Sequence, residues 1–121
     1  MSKIALTIDD SKTMRDMVSF TLKNAGFTVV EAENGQLGLD QINGSSFDVI
    51  ITDINMPVMD GITFTQEARK KNEARTTPIL ILTTESGSDI KNRGRDAGAT
   101  GWIVKPFNPE KLLQVVEKVC G

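Results

Sequence analysis

Four places in the chain carry groups that could do chemistry together. They are the acid pair Asp9-Asp10, Asp53 with Asn55 two residues on, Thr83 with Glu85 two residues on, and Lys105 before Pro106. Each of them closes a short apolar run. An Asp carboxylate can act as a phosphate-accepting nucleophile. Gathered carboxylates repel one another unless a cation joins them, and an all-oxygen site with few protein ligands and an incoming phosphate suits Mg²⁺. The metal is assigned to one of Asp9 or Asp10, to Asp53, to the backbone carbonyl of Asn55, and to water. Lys105 supplies a point charge for phosphoryl oxygens and the Thr83 hydroxyl one hydrogen bond. The chemistry implied is phosphoryl transfer onto Asp53, achieved by positioning and charge neutralisation.

Five apolar runs must position these groups. Ile4 to Ile8 reads as a buried strand stopped by Asp9-Asp10, and Thr28 to Ala32 as a shorter, more polar strand that suits a sheet edge. A third run ends at Asp53, where Asn55, Pro57 and Gly61 force an irregular loop. Pro78 to Thr83 is the most uniformly apolar strand and belongs in the sheet interior, and Gly101 to Lys105 makes the fifth. Between them lie helical patterns. Ser11 caps the first, with Met14, Met17, Val18 and Leu22 at helical spacing and therefore core-facing, and Gly26 ends it. Asn34 and Asp60-Gly61 open the second and third, and Asn108 with Pro109 opens the fifth. The fourth has a thin apolar stripe of Ile90, Gly94 and Ala97, so that helix, weakened by Gly87 and Gly94, is expected to be the loosest element.

Alternation of strand and helix five times over implies a parallel sheet covered on both faces. In such a sheet all carboxyl ends lie at one rim, so the acids, Thr83 and Lys105 emerge together and can line one crevice if strands 1, 3, 4 and 5 are neighbours. Strand 5 must deliver the lysine amine to that crevice and then turn sharply into a helix, so a cis Lys105–Pro106 bond is expected.

Composition narrows the function classes. A chain of 121 residues fits one domain, taken as residues 1–121. The formal net charge is −2, which equals the −3 of Asp9, Asp10 and Asp53 plus the +1 of Lys105, so the remainder is neutral. A neutral remainder argues against a nucleic-acid face. Arg69, Lys70, Lys71 and Arg75 cluster at a helix end and are expected to be solvated there. The single cysteine, Cys120, permits no intrachain disulfide, and no apolar run has signal-peptide or membrane length. A cytoplasmic monomer with no membrane insertion is the expectation.

The set Asp9-Asp10, Asp53 through Gly61, Thr83 and Lys105-Pro106-Phe107 resembles the receiver domain of two-component response regulators over essentially the whole chain, and most closely its CheY-like chemotaxis branch. The resemblance implies the flavodoxin-like α/β fold, a doubly wound five-stranded parallel sheet of order 2-1-3-4-5 with five helices. It makes Asp53 the phosphoacceptor, Asp9 and Asp10 the acid pair for Mg²⁺, Thr83 the switch hydroxyl and Lys105 the phosphate-facing lysine, and it too points to a cis bond at Pro106. Asn55 and Glu85 match the chemotaxis pattern and are expected to tune dephosphorylation. Trp102 stands where the enteric chemotaxis regulator has a tyrosine; it offers a bulky amphipathic ring without a phenolic hydroxyl, as a second switch residue or as edge-strand packing.

The partners implied are a CheA-like histidine kinase, a flagellar motor switch protein and a phosphatase. The surface read by partners is expected to be helix 4, strand 5 and helix 5, with Lys91, Arg93, Arg95 and Lys111 facing an acidic partner. No catalysis beyond the chain's own phosphorylation and autodephosphorylation is expected. The competing readings are an Asp-nucleophile phosphohydrolase of the haloacid dehalogenase type, and a phosphorelay or phosphate-sink receiver. The first would carry a second Asp two residues after the nucleophile, where this chain has Asn55.

Overall fold

The computed structural model describes residues 3–120. Five strands, β1 (Ile4–Ile8), β2 (Thr28–Ala32), β3 (Val49–Thr52), β4 (Ile79–Thr83) and β5 (Gly101–Val104), alternate with α1 (Lys12–Asn24), α2 (Gly35–Ile42), α3 (Gly61–Arg69), α4 (Ser88–Ala97) and α5 (Pro109–Cys120). All four pairings are parallel and the order is β2-β1-β3-β4-β5. This is the order the resemblance implied. A doubly wound sheet changes direction at β1/β3, and that is where ligand crevices form.

Alternation along each strand decides which face a side chain serves. Ala5, Val49, Ile51, Leu80 and Leu82 face α1 and α5, packing on Val18, Leu22, Leu112 and Val116. Leu6, Ile8, Ile50 and Ile79 face the other way, onto Leu39, Ile42 and Phe64 of α2 and α3. Ile81 joins Ile54, Ile62 and Ala97 in a smaller cluster under α4. The central strands are buried on both faces, which is why they read as continuous apolar runs. The expected caps are in place: Ser11, Asn34 and Asp60 accept from Met14, Leu37 and Thr63, and Asn108 accepts from Glu110 and Lys111.

Two readings of the sequence are corrected. Met17 is 47% exposed and Phe20 exposed beside it, so the apolar stripe of α1 that reaches the core is Met14, Val18 and Leu22. Gly87, by contrast, acts as expected: it is the N-cap of α4 and leaves that end without a side-chain hydrogen bond. Arg69 is no solvated helix end. Its guanidinium reaches the Gly98 carbonyl from Nε at 3.0 Å and Nη2 at 2.8 Å, the Ala74 carbonyl at 2.8 Å, and the Thr77 carbonyl. Burial lowers its pKa, as desolvation of a cation must. Arg69 thereby clamps a 3₁₀ turn over Asn72–Ala74 and the C-terminal end of α4 to α3.

Replacing that clamp by an apolar side chain strands several carbonyls at once. Arg69→Met is expected to lower the unfolding free energy by about 2–3 kcal/mol in urea titrations. A loss below about 0.5 kcal/mol, the range of ordinary surface substitutions, would show the contacts to be incidental.

Candidate functional site

At the carboxyl ends of β1, β3 and β5 the chain brings two buried carboxylates onto one ammonium. The Lys105 Nζ donates to Asp9 Oδ2 and to Asp53 Oδ2, both at 2.8 Å. Asp9 and Asp53 are only 4% and 9% exposed. Register explains the meeting, because Ile8 pairs with Thr52 and the two aspartates are the next residues on adjacent strands. Lys105 arrives two strands away, from the end of β5 through a cis Lys105–Pro106 peptide. The second oxygen of each acid is also held: Asp9 Oδ1 accepts from Ser11 N–H at 2.9 Å and Asp53 Oδ1 from Ile54 N–H at 2.7 Å.

Burial works against the Lys105 charge, but the hydrogen bonds and charges of Asp53 and Asp9 outweigh it, so its pKa stands above the ordinary lysine value. The stability this pairing contributes is fully present below the ordinary lysine value. It is lost only as pH rises through the raised one, so the triad is intact across the physiological range.

Asp10 is exposed at the mouth, and one carboxylate oxygen from each of Asp9, Asp10 and Asp53 lies within 4.8 Å of the others. Two buried acids share a single cation, and a third acid joins them from outside. Hard oxygen donors of one sign, in excess over the one lysine, fit a Mg²⁺ ion. Gly61 makes the loop below possible. A Cβ there would fall 1.9 Å from the Asp53 carbonyl oxygen, and its N–H closes the loop on the Ile54 carbonyl at 2.9 Å.

On the β4 side, Glu85 has three groups engaged. Its N–H lies 3.4 Å from the buried Thr83 Oγ1, its carboxylate accepts from Asn55 Nδ2 at 3.0 Å, and its carbonyl accepts from Trp102 Nε1 at 3.0 Å. The Trp102 ring lies over Gly94, where an added Cβ would stand 2.7 Å from Cζ3. Gly94, read from the sequence as a weakness of α4, is the space into which the indole fits. The structure thus brings Asp9, Asp10, Asp53 and Lys105 together. Thr83, Asn55, Glu85 and Trp102 form a second set on the adjacent wall.

The sequence reading missed Arg15. Its Nη1 donates to the Asp9 carbonyl at 2.7 Å and its Nε lies 3.4 Å from Glu31 Oε1. Neither contact follows a helical or strand spacing, since the partners are a backbone carbonyl and a residue of the edge strand.

The response regulator receiver domain model matches residues 5–117. The chain belongs to that family. Among solved receiver structures, the chemotaxis protein CheY4 of Vibrio cholerae is 46% identical, with a TM-score of 0.94 over 98% of this chain and 99% of that one. The chemotaxis protein CheY of Pseudomonas aeruginosa is 35% identical over 94% of this chain and 93% of its own length. The sensor histidine kinase CheAY of Helicobacter pylori is 41% identical over 95% of this chain, which spans 15% of the kinase. The receiver is therefore CheY-like. Among the described residues, no helix is long and apolar enough to cross a membrane.

Because the carboxylates of this receiver outnumber its local cations, neutralising the exposed one should relieve repulsion. Asp10→Asn is expected to raise Tm in EDTA by on the order of 2 °C, while Mg²⁺ raises Tm of the wild type more than that of the variant. A fall in Tm in EDTA, with equal Mg²⁺ stabilisation of both proteins, would contradict this charge assignment.

Proposed function

We propose that the chain is a phosphorylation switch that accepts a phosphoryl group on Asp53 from the phosphohistidine of a CheA-like sensor kinase and so changes the affinity of its α4–β5–α5 face. The observation that carries the reading is the Lys105 ammonium bridging two buried carboxylates, with a third at the mouth. An Asp53 carboxylate oxygen forms the new bond to phosphorus. The N–P bond breaks and its electron pair returns to the donor's imidazole nitrogen. Asp9, Asp10, Asp53 and the Asn55 backbone carbonyl would hold Mg²⁺, which when bound neutralises charge on the phosphoryl oxygens.

The chain's own residues do the rest. Lys105, already 2.8 Å from Asp53, is in reach of phosphoryl oxygens on that carboxylate. Thr83, the end of the adjacent strand, turns its hydroxyl from the Glu85 N–H toward the phosphoryl group as the nearest neutral donor. That turn loosens Glu85, whose carbonyl is the hydrogen-bond partner of Trp102. Helix α4 is then free to shift, and Lys91, Arg93, Arg95 and Lys111 present charge to an acidic partner. Asn55 and Glu85, bonded to each other at the mouth, tune the lifetime of the acyl phosphate by ordering water.

Asn55 also weighs against a phosphohydrolase. It offers an amide, bonded to Glu85, where that mechanism needs an acid. The chemotaxis proteins among the relatives support a chemotaxis role for the switch, and with that role we take a flagellar motor switch protein and a phosphatase as its further partners, in the cytoplasm.

Acetyl phosphate with Mg²⁺ is expected to add one phosphoryl group by intact mass, and EDTA or Asp53→Asn to abolish the addition. Labelling that survives the substitution would move the acceptor elsewhere, and labelling that survives EDTA would remove the metal from the chemistry.

A further inference from the structure

We propose that Arg15 is a positioning residue of the acceptor site: it fixes the backbone of Asp9 so that the metal-facing acids hold their place when Lys105 turns to the phosphoryl group. The inference rests on the acceptor reading of Asp53 given above. Asp9 has four hydrogen-bonding groups and all are engaged. Its N–H donates to the Ala32 carbonyl at 3.1 Å, and its carbonyl accepts from Arg15 Nη1 at 2.7 Å. Oδ1 accepts from Ser11 N–H at 2.9 Å and Oδ2 from Lys105 at 2.8 Å. The Lys105 bond is the one that chemistry disturbs, because the same ammonium also serves Asp53. Once a phosphoryl group competes for Lys105, Arg15 is the charged side chain left holding Asp9.

Arg15 is itself held for that task. Its side chain is 11% exposed, its Nε lies 3.4 Å from Glu31 Oε1, and Glu31 Oε2 accepts from the buried Ser19 hydroxyl at 2.9 Å. Glu31 sits one residue before the end of β2, where Ala32 pairs with Ile8. The chain Ser19–Glu31–Arg15–Asp9 therefore ties the tip of β1 to α1 and to the edge strand, on the wall opposite Thr83 and Trp102. A guanidinium is suited to it, since its fork can serve a carbonyl and a carboxylate at once.

The sign of one measurement separates this role from simple charge and simple stability. Removing a cation beside a cluster of carboxylates should tighten Mg²⁺ binding by Coulomb's law alone. Loss of positioning should weaken it, by about 10-fold on the scale of other outer-shell partners of metal ligands. Mg²⁺ affinity is measured by calorimetry on the whole chain, wild type, Arg15→Met, Arg15→Lys and Glu31→Gln. The expected order is wild type tightest, Arg15→Lys and Glu31→Gln intermediate, and Arg15→Met weakest. Unchanged or tighter binding in Arg15→Met, or unchanged binding in the charge-preserving Arg15→Lys should the former not fold, overturns the proposal, even if either variant unfolds earlier. Absence of Mg²⁺ binding by the wild type would instead defeat the acceptor-site reading, and this inference with it.

Discussion

Two carboxylates buried at the ends of adjacent strands, with one ammonium between them, are the constraint on which the rest of this structure depends. Burying either acid alone would be costly, and burying both side by side more so, unless a cation is shared. Lys105 can be shared only if β5 ends at the same rim as β1 and β3, which parallel strands guarantee. Gly61 lets the chain fold tightly under Asp53, and the remaining charges of the molecule balance. The excess negative charge is thereby concentrated where a metal and a phosphoryl group would meet.

The walls of the crevice differ in stiffness. On the β1/β2 side, Arg15, Glu31 and Ser19 form a part-buried polar network between α1 and the sheet. On the β4/β5 side, α4 buries only Gly94 and Ala97, has no side-chain cap at its start, and is tied at its C-terminal end by Arg69. A helix held at one end and lightly packed along its length is drawn from the low-stability part of a fold. Trp102 spans the junction, its indole on Gly94 and its N–H on Glu85. Charge added at Asp53 would thus meet one wall held by a polar network and one formed by a lightly packed helix.

Much of this was legible in the sequence because the strands are short apolar runs ended by polar residues, and because parallel topology carries every end to one rim. The acid pair, Asp53, Thr83 and Lys105 were found that way, and the caps at Ser11, Asn34, Asp60 and Asn108 by local chemistry. What escaped is set by tertiary path. Arg15 and Arg69 bond to backbone carbonyls of distant segments, which no spacing encodes. Met17 fits the helical period of α1 yet falls outside the strip that α1 presents to the sheet, since a 3.6-residue period admits more apolar positions than the contact is wide. Gly94 is intelligible only once Trp102 is seen to lie on it.

On the proposed function, charge placed on Asp53 is transmitted across one strand, from Thr83 through Glu85 to Trp102. Because Trp102 is the only tryptophan, its emission reports that path without a label. The direct measurement is the emission of wild type and Thr83→Ala on addition of beryllofluoride and Mg²⁺, with binding of the mimic followed separately by ¹⁹F NMR. A change is expected in the wild type and none in Thr83→Ala, although both bind the mimic. An equal response in the two proteins would contradict it and leave Trp102 as packing alone.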